Sequence, residues 1–87
     1  MDIALIRMVE VEEERGKAKW GAVDKDPGAL LNAATEELGE VAHAINHNEG
    51  AEKTIQEIAE VMGVLSRLCE MVAPTGFLTG FCWSKQG

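Results

Sequence analysis

Basic residues are scarce in this chain. Eight Lys and Arg stand against fifteen Asp and Glu, a formal net charge of −7 over 87 residues. Affinity for nucleic acid needs cations set against phosphates, so this balance argues against DNA or RNA as a partner. If phosphates are handled at all, a cation must be recruited first, and a divalent metal is the obvious one. Cysteine is scarce too. Cys69 and Cys82 form no spaced cluster, which points to reduced thiols rather than a disulfide frame, and no His or Asp spacing marks either as a nucleophile. Long apolar runs are missing, with nothing near the ~18 residues of a membrane span. The opening MDIALIRMVEVEEE has neither the basic start nor the apolar stretch of a signal peptide. The expectation is a cytoplasmic protein with no membrane attachment.

What is present is globular in composition: 46% hydrophobic, 26% charged, two prolines. A chain of this length makes one small domain, here residues 1–87, burying roughly 60% of its unfolded surface, so a partner chain often completes the core. Three helices are expected and no strand. The first spans roughly Ile3 to Lys19 and turns acidic at Glu12-Glu13-Glu14. The second starts at Asp26-Pro27, where Asp can cap free amides and Pro fits the first helical position. It runs to about His47, with Asn48–Gly50 as the stop. The third covers about Ala51 to Ala73 and is ended by Pro74. The aromatic tail 74–87, with Phe77, Phe81 and Trp83, reads either as a short fourth helix or as an extended arm. The fold class expected is all-α: a helical hairpin with a preceding helix, completed to a four-helix-type bundle by association into a homodimer or tetramer.

One pattern occurs twice. Residues 36–41 read EELGEV and residues 56–61 read QEIAEV. At about 100° per residue, Leu31, Ala34, Leu38, Val41 and Ile45 fall in one sector of the second helix, the expected core stripe. Ala33, Glu37, Glu40 and Ala44 form a flank beside it. On the third helix the core stripe reads Ile55, Ile58, Val61, Met62, Leu65, Cys69 and Val72, and the flank Lys53, Glu57, Glu60 and Val64. Packed as a hairpin, these flanks would aim four carboxylates into one region. Like charges gathered there are costly unless a proton or a cation compensates, and carboxylate oxygens suit a hard cation such as Mg²⁺. Spacing alone leaves a second reading open. Glu is a strong helix former, and Lys53 could simply pair with Glu49 or Glu57 on a solvated surface.

The run Glu36-Glu37-Leu38-Gly39-Glu40, then Glu57-Ile58-Ala59-Glu60 after a spacer, with Lys19-Trp20-Gly21 upstream, resembles the MazG-like family of all-α nucleotide pyrophosphohydrolases, in particular its short phage-type and metagenomic members. The likeness covers roughly residues 10–73. It implies that Glu37, Glu40, Glu57 and Glu60 ligate Mg²⁺, with Mn²⁺ as a substitute, and that a nucleoside triphosphate is hydrolysed to monophosphate and pyrophosphate. Glu36 or Glu40 would accept the proton of the attacking water. Lys53 is a candidate phosphate contact, Trp20 a candidate for stacking on a base, and Asn32 for hydrogen-bonding base or sugar. The family pattern ends in Asp where this chain has Glu60. Two other readings stay within reach: a phosphoribosyl-ATP pyrophosphatase, or a non-catalytic helical interaction module that has lost tight metal binding. A third, an iron site using Glu40 and His43 with His47 nearby, would need a second such motif from another copy.

Overall fold

Two aspartates start the first two helices. In the computed structural model, which describes residues 1–21, 26–73 and 76, Asp2 caps helix α1 (Ile3–Trp20), its carboxylate accepting from the Ala4 amide at 2.7 Å. Asp26 caps helix α2 (Pro27–Asn46) in the same way, accepting from the Gly28 amide at 3.1 Å, with Pro27 in the first turn. Both satisfy amides that have no partner inside the helix. Helix α2 ends on a left-handed residue, Asn48 at φ 53°. The Glu49 amide donates to the Ala44 carbonyl and the Asn48 amide to the Ile45 carbonyl, the paired bonds that close a helix when the residue after its cap turns left-handed. Gly50, at φ 97°, needs its missing Cβ to lead into helix α3 (Ala51–Val72). The three expected helices are present, each ending within a residue of its expected bounds. The expected end at Pro74, most of the aromatic tail and Cys82 lie outside the described residues.

Helix α3 is the centre. It packs against both α2 and α1, while α1 and α2 make no close backbone contact with each other. The α2–α3 seam packs Leu30 and Ala34 of α2 against Val64 of α3, with Ala33, Leu68 and Met71 around them, and Ala44 is buried further along α2. The α1–α3 seam is polar and close. Ser66 donates to Glu13 at 2.9 Å, Lys17 pairs with Glu70 at 3.1 Å, and Gln56 donates to Glu12 at 2.7 Å. Burial raises the pKa of Glu13 above the usual carboxylate range, while Lys17 lowers that of Glu70. Gly63 makes the approach possible, because a Cβ there would sit 3.1 Å from the Glu13 backbone nitrogen and 3.2 Å from Glu12 Cβ. Among the described residues no helix is long and apolar enough to cross a membrane.

The inward faces differ from the expected stripes. Of the α2 stripe only Ala34 is buried, while Leu31, Leu38 and Ile45 are 54–59% exposed. On α3, Ile55, Leu65 and Val72 are exposed, and so is Cys69, which was expected in the core. The faces read as flanks turn inward instead, burying Ala44, Glu57 and Val64. The cause is α3's double duty. To meet α1 through Gly63 and α2 through Val64, it leaves Ile55, Leu65 and Val72 exposed and Ile58, Val61 and Met62 only half-buried.

The Gly63 crossing makes a prediction. Gly63→Val should lower stability by ~1–3 kcal/mol, the usual cost of overpacking. Gly39→Ala, where a Cβ meets nothing within 4 Å, should raise it by ~0.5–1 kcal/mol through helix propensity. Urea midpoints of the two variants moving in the same direction would refute the crossing.

Candidate metal centre

Glu37 comes from α2, and Glu57 and Glu60 from α3. One oxygen from each carboxylate lies within 4.8 Å of the others. Glu57 is buried and the other two are half-buried. Helical spacing sets this up, since Glu57 and Glu60 are three residues apart and therefore neighbours on one side of α3, facing Glu37 across the seam. Lys53, one turn before Glu57, binds its carboxylate at 2.8 Å, and the pairing raises the lysine's pKa. Gln56 donates to Glu60 at 3.2 Å and to Glu12 at 2.7 Å, tying Glu60 to α1.

Crowding has a titration signature. Burial, a hydrogen bond to Glu60, and the charges of Glu60, Glu57 and Glu40 push the Glu37 pKa up to about 7. With no cation the group relieves its repulsion by keeping a proton on Glu37. With a divalent cation the proton can leave. The donor set is entirely carboxylate oxygen, which fits Mg²⁺ or Mn²⁺ and not a soft metal.

The group sits at one side of a cavity of about 560 Å³ floored by α3. The α2 wall carries Ala33, Glu36 and Glu37, the floor Glu60, Val64 and Arg67, and the α1 wall Glu12, Arg15, Lys19 and Trp20. Of the sequence-derived residues, Glu37, Glu57 and Glu60 meet, and Glu36 and Trp20 line the cavity. Glu40 is exposed and adds charge at Glu37 without placing an oxygen in the group. Lys53 commits its charge to Glu57. Asn32 is exposed on α2 and is not among the cavity-lining residues. His43 and His47 stack at 4.1 Å, with His43 Nε2 3.2 Å from Glu49, and neither joins the glutamates.

Five residues of the site went unread in the sequence: Glu12, Arg15, Lys19 as a side chain in its own right, Gln56 and Arg67. Gln56 had a signal, since it occupies the place of Glu36 in the repeated hexapeptide. Arg67 had one as well, lying seven residues after Glu60 and so on the same stripe of α3. Glu12 and Arg15 had none, because only the crossing at Gly63 brings them in, and Lys19 was marked only as part of Lys19-Trp20-Gly21.

Compared with known proteins, the chain matches no family model, no curated sequence and no solved structure.

The Glu37 pKa fixes a pH dependence. Its folded value, about 7, exceeds the ordinary 4.5, so the folded state holds a proton that the unfolded state gives up. Stability from this group is full below pH ~4.5 and is lost as pH rises through 7. The urea midpoint of metal-free protein should fall between pH 5 and 8, and Glu37→Gln should flatten that fall. An unchanged slope in the variant would refute the crowded cluster.

Proposed function

We propose that this protein is a Mg²⁺-dependent nucleoside triphosphate pyrophosphohydrolase releasing a monophosphate and pyrophosphate. The observation that carries the reading is the meeting of Glu37, Glu57 and Glu60 beside a cavity of about 560 Å³, a size suited to a small-molecule ligand. The MazG-like pattern of those residues supports it. Glu60, which stands where that pattern has Asp and is the feature favouring a non-catalytic module, still has an oxygen within the group.

A divalent ion held there would neutralise phosphate charge and acidify a bound water. The chain's own residues do the rest. Glu57, fixed by Lys53, and Glu60, fixed by Gln56, keep the ligating oxygens in place before an ion arrives. Of the two carboxylates considered for the water's proton, Glu36 lines the cavity and Glu40 does not, so the base is assigned to Glu36. Trp20, at the far end of the α1 wall, offers a ring face for a base, with the Lys19 ammonium 5.1 Å from its centroid.

The same reading includes a homodimer. Leu31, Leu38 and Ile45 on α2, with Ile55, Leu65 and Val72 on α3, are 44–60% exposed. An apolar face of this kind on a small domain calls for a partner, and a second hairpin laid against it makes a four-helix-type bundle.

Two measurements test the proposal. Pyrophosphate release from a panel of standard and modified triphosphates with Mg²⁺ should be lost by at least ~100-fold in Glu37→Gln and Glu57→Gln, on the scale by which even supporting groups affect metal sites. Wild-type turnover no higher than theirs would remove the enzyme claim and leave the non-catalytic module. Analytical ultracentrifugation should give a dimer that Leu38→Asp converts to monomer, and a monomeric wild type would remove the assembly.

A further inference from the structure

Helix α2 ends in a cluster that the proposed reaction does not use. His43 and His47 lie one turn apart with their rings stacked at 4.1 Å and 27° between planes. His43 Nε2 stands 3.2 Å from a Glu49 carboxylate oxygen. We propose that His43, His47 and Glu49 form a site for a borderline divalent transition metal, Zn²⁺ foremost. The site is separate from Glu37, Glu57 and Glu60 and does not depend on how those glutamates are read.

Two histidines four residues apart face the same way from a helix, the spacing by which helices offer paired imidazoles to zinc. The third donor comes from the turn. The His47 amide donates to the His43 carbonyl and the Glu49 amide to the Ala44 carbonyl, each at 2.9 Å. Asn48 takes the left-handed backbone, φ 53°, that folds the chain back. Glu49 is thereby returned over the last turn of α2. All three donors ride on backbone already held by hydrogen bonds, which keeps the ordering cost of binding small. The dimension fits as well. Donors on one tetrahedral zinc, with bonds of about 2.0–2.1 Å, stand ~3.3 Å apart, close to the 3.2 Å between His43 Nε2 and Glu49. Turning the His47 ring about its outer side-chain bond, a soft torsion for imidazole, presents a nitrogen edge in place of the ring face. Water takes the fourth position. A cation at the C-terminal end of a helix is further favoured by the unpaired carbonyls there. All three residues are exposed, so an ion reaches them freely, and a bare His–carboxylate pair at such a surface adds little to stability. Two imidazoles and one carboxylate select Zn²⁺, Ni²⁺ or Cu²⁺ over the hard ions that suit the all-carboxylate group. One chain thus sorts two classes of metal by donor chemistry.

The test is calorimetric titration of the full chain with Zn²⁺, alongside visible spectra with Co²⁺ in its place. Wild type should bind one Zn²⁺ saturably and show the intense visible bands of tetrahedral Co²⁺. His43→Gln and His47→Gln should each weaken Zn²⁺ binding by roughly tenfold or more and abolish those bands, and Glu49→Gln should weaken it by a smaller factor. Glu37→Gln and Glu57→Gln should leave Zn²⁺ affinity within about twofold, whatever they do to pyrophosphate release. Both histidines are exposed, so their variants keep the fold, which circular dichroism checks. Wild type that takes up Zn²⁺ without saturation, or a His47→Gln affinity equal to wild type, overturns the site. So does near-ultraviolet thiolate-to-cobalt absorption, which places the ion on a cysteine, or loss of Zn²⁺ binding in Glu37→Gln, which places it on the glutamates.

Discussion

Three carboxylate oxygens within 4.8 Å of one another are the constraint around which the hairpin is organised. Ionised together they repel, and partial burial strips the water that would screen them. A fold can keep such a group only by neutralising it. The protein does so with Lys53 on Glu57, a proton on Glu37 and the Gln56 amide on Glu60. The arrangement carries a stability cost, and a group of this kind is one whose neutralisation would also tighten the fold.

The packing follows from accommodating that group. Bulky side chains on the α2–α3 seam would hold the carboxylates apart. Alanines at 34 and 44 on α2 let the backbones close enough for side chains on two helices to share one pocket. The large aliphatics are thereby left on the outer faces, where a second chain can cover them. The meeting of the glutamates and the exposure of these aliphatics are two results of one rotational choice at α3.

Much of this was legible in the sequence. The Asp26-Pro27 start and the Asn48–Gly50 stop follow from local backbone chemistry, which needs no tertiary information. The repeated hexapeptide marked Glu37, Glu40, Glu57 and Glu60, and three of these four meet, because matching positions on two helices of a hairpin constrain relative position while Glu40 falls on the exposed side. The direction each helix faces was not legible. Periodicity gives angles around one axis but not the rotation of that axis against its neighbours, so Leu31, Leu38 and Ile45 were placed inside and Glu57 at the edge. Helix α1 was legible as a helix and silent as a wall. Its Glu12, Arg15 and Lys19 carry no pattern that ties them to residues some fifty positions away. That tie is made by one glycine on another helix.

Helices α1 and α2 each lean on α3 and not on each other. The two halves of the cleft are therefore separable modules on a shared spine. Changes along α1 can reshape one wall of the cleft while the glutamates keep their spacing, and drift in α2 can shift Glu37 without redrawing the opposite bank.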